Sequence, residues 1–424
     1  MKKVLAFLLV GMLVFGSMAF ASYTETLATA GMPAVLSGID QIMATYPSKI
    51  MDFKNLAVVE YGYSLWGYTL LDTDLGVIGV AASPVPPIGL YVPDMDSPDY
   101  ILTLMYGTDL GGINLGVSLF YGSDSYTYEE LDPDPANIGK DVFTNSESYL
   151  AALLGLSLDV GMPLDVSIGI ALPGNGQEIK DYNDVATSIL VFNDKLDVGG
   201  LLLNINARTI LSDWILNLGV SINSLNHART IKFDGNADGD FADAGVDMDI
   251  KDEYSDAAMN IGLLVGKQLK ATETMIFTIG VGLNYSTSQD TKYKFTDNLV
   301  PANNSQLNLD FNTNTSIEIP FYMSVNCKIN ETWSFMAGVN RTMLSFRVNE
   351  DTDYDADGDK TDLDKETNIN TDYYMSAAFG LTGQFGDLKL QWYMNPSLLL
   401  NGPYFISGSG SGWSSNVAIV YDWK

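Results

Sequence analysis

The amino-acid sequence predicts an all-β protein, a transmembrane antiparallel up-and-down β-barrel of about 14 strands within a range of roughly 12 to 16. Three observations carry this prediction. Long segments alternate between apolar and polar residues with a period of two. The polar face of these segments is rich in Gly, Ser, Asn and Thr. Short and long connections alternate along the chain, as in barrels that cross a membrane.

The alternating segments are longer than the strands of soluble proteins. From Trp214 to Asn223, large apolar residues occupy the even positions and polar or small residues occupy most odd ones. Strands in soluble sheets usually have about five or six residues, whereas tilted membrane strands need roughly 9–11. Similar alternation occurs near residues 57–66, 75–82, 100–107, 112–121, 148–160, 163–173, 197–208, 255–266, 275–286, 317–329, 332–346, 371–385, 387–399 and 411–423.

The number of alternating runs is odd, whereas a barrel with both termini on one side needs an even number. Ile88–Val92 is one candidate for an extra short strand. Alternatively, two weak runs near the N-terminus do not both belong to the barrel. The sequence leaves counts of about 14 and about 16 open.

The connections suggest which end of the barrel faces which side of the membrane. Turns such as Gly161–Pro163 are short, and we expect them in the periplasm. Long polar segments are predicted to be extracellular loops at 122–147, 174–196, 227–254, 288–312, 347–370 and 400–410. Aromatic residues near strand ends predict girdles at both rims: Trp214, Trp333 and Trp423 at the periplasmic rim, and Tyr121 and Tyr285 at the outer rim.

Three regions are expected along the chain. Residues 1–21 are typical of a secretory signal peptide, with Lys2 and Lys3 before an apolar core and Ala19-Phe20-Ala21 as the cleavage site. Residues 22–55 do not alternate, and they form either a periplasmic extension or a plug inside the barrel. Residues 56–424 form the barrel. This order predicts export followed by insertion into the bacterial outer membrane.

The composition argues against several functional classes. The formal net charge is −30, from 22 basic and 52 acidic residues. Such a chain repels phosphates, so no nucleic-acid partner is expected. Cys327 and His227 are the only residues of their types, which leaves no disulfide framework within the chain and little basis for a catalytic triad. We therefore predict no enzymatic activity and assign no catalytic residues.

Two acidic segments have the spacing of calcium-binding loops. Counting from Asp353, acids or Gly occur at the first, third, fifth, sixth and twelfth positions of the pattern that surrounds Ca²⁺ with oxygen ligands. The segment from Asp234 fits the first half of this pattern but lacks the closing acid. The alternative is a solvated acidic loop at each place. The candidate ligands are Asp353, Asp355, Asp357, Asp359 and Asp364, and Asp234, Asn236, Asp238 and Asp240.

Charged residues that interrupt the polar face of predicted strands are candidates for the lumen. Because the barrel mouth is expected to be rich in acids, preference for cations is a further hypothesis. The candidate lumen residues are Glu60, Arg208, Glu318, Lys328 and Lys389.

The last strand carries a more specific signal. Val417, Ile419, Tyr421 and Trp423 alternate and end on an aromatic residue, with only Lys424 after it. This strand resembles the C-terminal assembly signal of Gram-negative outer-membrane β-barrels. The resemblance implies outer-membrane lipid, lipopolysaccharide and the barrel-assembly machinery as partners.

A narrower resemblance concerns the segment before the barrel. Ala30-Gly31-Met32 and Tyr46-Pro47-Ser48 stand where the long-chain fatty acid transporter family has a Gly-rich start and an Asn-Pro-Ala-type motif. That family has an N-terminal hatch in its barrel. The leading functional expectation is a porin-like channel or transporter for passive passage of small solutes. The alternatives are a plugged transporter of hydrophobic compounds and a surface-interaction barrel with calcium-ordered loops.

Overall fold

A computed structural model describes the chain at residues 33–37, 40–61, 65–83, 98, 100–131, 140–182, 190–234, 241, 248–297, 299, 309–354, 360–370, 375–395 and 414–423. The predicted signal peptide and Ile88–Val92 lie outside these residues. The strands are β1 Leu56–Tyr61, β2 Leu65–Thr73, β3 Gly76–Ser83, β4 Ile101–Asp109, β5 Ile113–Leu131, β6 Lys140–Asp159, β7 Pro163–Tyr182, β8 Leu190–Leu211, β9 Trp214–Phe233, β10 Met248–Thr272, β11 Met275–Asp297, β12 Leu309–Lys328, β13 Trp333–Tyr354, β14 Lys360–Asn370, β15 Met375–Phe385, β16 Leu388–Asn395 and β17 Ser414–Asp422.

The strands form one closed antiparallel barrel. Except for β14 and β15, which both pair with β13, each strand pairs with its neighbour in sequence, and β17 returns to pair with β1. The C-terminal part of β13, Ser345–Tyr354, pairs with β14, and its N-terminal part, Trp333–Arg341, pairs with β15. β14 and β15 therefore share one position in the wall. The 17-stranded sheet therefore has 16 strand positions, and the prediction of about 14 was too low.

The additional strand comes from the first predicted run. Residues 57–66 were expected to form a single strand, but β1 ends at Tyr61 and β2 begins at Leu65. The two strands pair antiparallel, with Leu56 opposite Leu70. A hairpin thus lies where the alternation suggested one continuous strand.

Most strands are much longer than a membrane requires. β5–β13 contain between 19 and 25 residues each, whereas β1–β4 contain between 6 and 9. At about 3.3 Å per residue, the 25 residues of β10 extend over about 80 Å. Much of the segments predicted as loops at 122–147, 174–196, 227–254, 288–312 and 347–370 is therefore paired strand.

The outer surface of the wall carries an apolar belt. In β7, the outward positions from Leu164 to Leu172 are all apolar, and Ile168 is 52% exposed. Eight residues cover about 26 Å along a strand, or about 20 Å after a tilt of about 40°. This height approaches the apolar band of roughly 25 Å in membrane barrels. Other exposed members of the belt include Leu150, Leu154, Leu156, Leu201, Leu203, Ile205, Leu218, Ile222, Val281, Leu283, Val417 and Ile419.

The predicted rim aromatics differ in exposure. Trp214 and Trp333 are 49% and 42% exposed at the end of the barrel with short turns, and Tyr121 is 60% exposed toward the other end. Trp423 is only 4% exposed, and its ring stacks on Tyr421. It therefore packs at the end of its strand rather than extending freely at the rim.

The described residues before β1 form short helices: an α-helix at Ala34–Ser37 and 3₁₀ helices at Asp40–Ala44 and Pro47–Asp52. Among the described residues, none of the helices has the length and apolar character needed to cross a membrane.

Candidate functional site

Residues 33–37 and 40–55, here called the plug segment, lie against the inner face of the barrel near its short turns. The α-helix contacts β9, β10 and β11, and the second 3₁₀ helix contacts β3, β4, β5 and β6. These groups of strands lie apart in the wall, so the segment extends across the lumen. The described part of residues 22–55 therefore lies inside the barrel.

Glycine residues in the wall make room for one end of the plug segment. Gly107, Gly116 and Gly155 lie directly opposite one another on β4, β5 and β6. A Cβ at Gly116 would collide with the backbone of Pro47 and Ser48, and one at Gly155 would lie 2.8 Å from Pro47 Cδ. We call these three residues the glycine notch. Only a wall without side chains there allows the plug backbone to approach so closely.

A second pair of glycines receives the other end. Gly266 on β10 lies opposite Gly280 on β11. A Cβ at either position would collide with the Leu36 side chain. Leu36 is completely buried. The plug segment is thus fitted into recesses on two sides of the lumen.

A buried ion-pair cluster anchors the plug segment to β7 and β8. Asp165 Oδ2 lies 2.9 Å from Arg208 Nη1, and Asp165 Oδ1 lies 3.0 Å from Lys49 Nζ. Arg208 Nε also donates to the Val35 carbonyl at 2.9 Å. The side chains of Asp165 and Arg208 are only 2% and 7% exposed. Removal of one partner from such a cluster leaves an uncompensated buried charge, which is strongly destabilising.

Neutral hydrogen bonds add further anchors. Gln268 Nε2 donates to the Leu36 carbonyl at 2.8 Å, and Ser48 Oγ lies 2.7 Å from Ser157 Oγ. Tyr46 donates its hydroxyl proton to Asn217 Oδ1. Burial raises the pKa of the Tyr46 phenol well above its usual range, so the proton of this hydrogen bond is retained.

Apolar side chains complete the interface. Ile50 and Met43 are each 1% exposed and pack with residues of β1–β4 and β17. Val35, Leu36, Ile42 and Tyr46 form a second cluster with Ile215 of β9. Full burial of a large apolar side chain contributes roughly 1.5–3 kcal/mol. Together, these contacts hold the plug segment in the lumen.

An apolar row crosses the inner wall on the long-loop side of the glycine notch. Phe120, Ala151, Ala171 and Leu202 are directly opposite one another on β5, β6, β7 and β8. They are at most 4% exposed. The row belongs to a buried cluster that also contains Ile101, Tyr149, Leu153 and Leu225. The inner wall therefore combines an apolar band with polar positions such as Ser118, Ser167, Asn204 and Asn206.

The structure places the five lumen candidates in different environments. Arg208 belongs to the plug anchor, and Glu60 is completely buried near the apolar contacts of β1. Glu318 pairs with Arg347 at 3.3 Å. Lys328 is exposed at the short-turn end of β12. Lys389 lies opposite Val420 on β17, a buried member of the inner apolar cluster.

The calcium hypotheses fall largely outside the described residues. Asp353 is the penultimate residue of β13, with its backbone opposite Asp362, and Asp364 lies on β14. Asp355, Asp357 and Asp359 are not described. In the second segment, Asp234 is 2% exposed, whereas Asn236, Asp238 and Asp240 are not described. No cluster of three or more His, Cys, Asp or Glu suited to a metal occurs within the described part of the chain. Both calcium sites remain predictions.

The single histidine lies on the extended part of β9. His227 Nε2 is 2.7 Å from Asp256 Oδ2, and its ring stacks on Tyr254 with centroids 4.1 Å apart. Cys327 is partly buried and unbonded. His227 thus contacts a carboxylate and a phenol ring.

Several site residues were missed from the sequence. Asp165, Lys49, Ser157 and Gln268 were not singled out because each partner pair is far apart in the chain. The glycine notch could have been suspected, since Gly107, Gly116 and Gly155 occupy the same face of successive predicted strands.

Comparisons with known proteins show a resemblance to outer-membrane β-barrels. The Pseudomonas putida toluene transporter TodX has 11% sequence identity over 96% of this chain and 98% of its own, with a TM-score of 0.37. A Pseudomonas aeruginosa FadL homologue has 9% identity over 96% and 100%, also with a TM-score of 0.37. The translocator domain of autotransporter NalP from Neisseria meningitidis has 11% identity over 74% and 90%, with a TM-score of 0.28.

No protein-family model and no curated protein matches the sequence. The structural neighbours named above are barrels and transporters, but their low similarity does not decide the substrate of this chain.

Proposed function

We propose that the protein is an outer-membrane transporter for small hydrophobic compounds, with a lumen that is gated by the plug segment. The observation that carries this proposal is the plug segment fitted across the lumen by the glycine notch and by Asp165. An apolar belt on the outside of a closed barrel is the arrangement expected in lipid, because the strands that carry the belt are hydrogen-bonded on both edges and the outer surface is apolar.

The apolar row supports a hydrophobic solute. Phe120, Ala151, Ala171 and Leu202 lie on the inner face of the wall beyond the plug, within a buried apolar cluster, where a purely polar pore would carry polar groups. Binding sites for small molecules are typically apolar with a few polar groups. The small polar residues of the remaining inner wall favour the porin-like alternative, in which polar solutes pass.

A disulfide that locks the plug tests the gate. Ser48 and Ser157 have hydroxyl oxygens 2.7 Å apart, so cysteines at both positions are close enough to bond. The variant Ser48→Cys/Ser157→Cys would be made in a Cys327→Ser background, which removes the native thiol. Each single cysteine variant in the same background is the matched control.

Transport is measured in proteoliposomes with a radiolabelled alkylbenzene and, in parallel, with a disaccharide. We expect alkylbenzene uptake to fall on oxidation of the double variant and to return after reduction, with no change in the single variants. Uptake that is unaffected by the locked plug would refute gating by this segment. Faster passage of the disaccharide than of the alkylbenzene would favour the porin-like alternative.

A further inference from the structure

Two exposed aromatic rings and a third, partly buried one lie on the wall where β5 and β6 extend beyond the apolar belt. The rings of Tyr126 and Tyr128 stack with centroids 6.4 Å apart, and those of Tyr128 and Phe143 stack at 4.7 Å. Tyr126 is 54% exposed and Tyr128 is 50% exposed. We call Tyr126, Tyr128 and Phe143 the aromatic patch. The exposed parts of these rings stay in contact with water unless another molecule covers them, and such exposed apolar patches commonly mark binding sites.

The aromatic patch faces the interior of the barrel. β5 and β6 pair without a register shift from Ile113 to Leu131. Side chains two residues apart on a strand point to the same face, so Tyr126 and Tyr128 share the face of Gly116, which contacts the plug. Phe143 lies directly opposite Tyr128 and shares this face. The rings therefore line the wide entrance above the plug, rather than the lipid-facing surface.

Carboxylates flank the patch at both ends. Glu130 lies directly opposite Asp141 on one side, and Asp124 lies directly opposite Glu147 on the other. Directly opposed side chains have Cβ atoms about 4.5–5.5 Å apart, where like charges are destabilising. Lys140 lies on the opposite face, where it pairs with Glu129 at 3.0 Å. Each carboxylate pair lies two residues along the strand, or about 7 Å, from a ring of the patch.

A buried acceptor lies within the same patch. Asn145 is opposite Tyr126 and is 8% exposed. Its Nδ2 donates to Glu147 Oε1 at 2.8 Å and to the Tyr126 hydroxyl at 3.4 Å. Its Oδ1 has no hydrogen-bond donor within the described part of the chain. Buried polar atoms are nearly always paired, so this oxygen indicates a missing donor.

We propose that the aromatic patch and its flanking carboxylates bind an organic cation, an ammonium group carried on an apolar body. The faces of aromatic rings attract cations, and a cation relieves the repulsion within each carboxylate pair. The N–H groups of an amine also supply a donor for Asn145 Oδ1. An anion is repelled by the four carboxylates. A neutral sugar gains from the rings but gains nothing from the negative charge.

Three probes with one ring and different charges test this proposal: benzylammonium, benzyl alcohol and benzenesulfonate. Binding to the full-length protein in detergent micelles is measured by calorimetry and by saturation-transfer NMR. The variants are Tyr128→Leu, which removes a ring face, and Glu130→Gln/Asp141→Asn, which removes one charge pair. Glu129→Gln is the matched control, because Glu129 lies on the opposite face of the same strand.

We expect the ammonium probe to bind wild-type protein at least about tenfold more tightly than the alcohol, with no binding of the sulfonate. Tyr128→Leu and the double variant should each weaken it about 5- to 30-fold, and Glu129→Gln should leave it unchanged. The double variant keeps side-chain size and relieves repulsion, so it remains informative if Tyr128→Leu fails to fold. Heat-modifiable gel migration verifies folding.

Equal affinity for the ammonium and the alcohol, or binding that ignores the charge substitutions, would overturn the proposal in favour of a neutral ligand such as a sugar. Binding of inorganic cations that displaces the probe at equal concentration would also overturn it. These measurements do not involve transport. A failure here is therefore distinguishable from failure of the gated-transport proposal, which the locked-plug assay tests.

Discussion

Replacement of Gly116 with alanine is expected to displace the plug segment from the glycine notch. The new methyl group would collide with the carbonyl of Pro47 and the amide nitrogen of Ser48. Ordinary carbon contacts have separations of about 3.5–4.0 Å. Because both colliding groups are backbone, no side-chain rotation relieves the clash, and the segment has to move.

The size of the effect follows from the cost of overpacking. Extra methyl groups in a well-packed interior cost about 1–3 kcal/mol. Applied to the equilibrium between a seated and a displaced plug, this cost corresponds to a factor of about 5 to 150 in favour of the displaced state.

Trypsin cleavage after Lys49 reports that equilibrium. The Lys49 side chain is 17% exposed and paired with Asp165, so the seated plug protects it. When opening is fast relative to cleavage, the cleavage rate follows the population of the open state. We therefore expect cleavage at Lys49 to accelerate about 5- to 150-fold in Gly116→Ala, as measured by mass spectrometry of the fragments.

Gly199→Ala is the matched control, because a Cβ at Gly199 meets no atom within 4 Å. It should leave the cleavage rate at the wild-type value. If Gly116→Ala also behaves as wild type while both variants migrate as folded barrels, the plug does not rest on the notch and the steric reasoning is wrong.

Three further predictions concern charge. Asp165→Asn should destabilise the protein by about 3–5 kcal/mol in urea titrations, because it leaves buried Arg208 uncompensated, whereas Asp197→Asn, which breaks an exposed pair, should cost less than about 1 kcal/mol. A larger loss of stability in Asp197→Asn than in Asp165→Asn would contradict this prediction. Asp353→Ala and Asp357→Ala should each weaken calcium binding in calorimetry, and unchanged affinity would remove that site. Reversal potentials in planar bilayers should show preference for cations; anion preference would be the contrary result.

The sequence predicted the barrel because lipid imposes a period of two on the outer face. In β7, the residues from Leu164 to Leu172 carry this signal completely. Beyond the belt, both faces of a strand meet polar surroundings, and the alternation disappears although backbone pairing continues. For this reason residues 122–147 were interpreted as a loop, whereas most of them form the paired ends of β5 and β6.

The missed hairpin has a different cause. Leu56, Val58 and Glu60 are the buried positions of β1, and Tyr68 and Leu70 are buried positions of β2. All are even-numbered, because the connection between the strands preserves the parity. A tight reversal that keeps the alternation in phase cannot be distinguished from a straight strand by periodicity alone.

The contacts of the plug segment could not be predicted from the sequence, for a third reason. Arg208 was predicted as a lumen residue from the sequence. Its contacts with Asp165 and the Val35 carbonyl become apparent only when the strands are arranged around the closed barrel. Ser48 and Ser157 are 109 residues apart and carry no shared motif. Local patterns predict strands, whereas the pairing of distant side chains depends on how strands are arranged around the lumen.

The unequal heights of the strands also determine where the barrel is mechanically weakest. β1 is joined to both of its neighbours, β17 and β2, only over Leu56–Tyr61, whereas the pairing of β10 with β11 extends from Ile250 to Thr272. Under a pulling force, the pair of strands with the fewest paired residues separates first. The wall would therefore open first beside β1, while the long ladders such as those of β5 with β6 and of β10 with β11 stay paired.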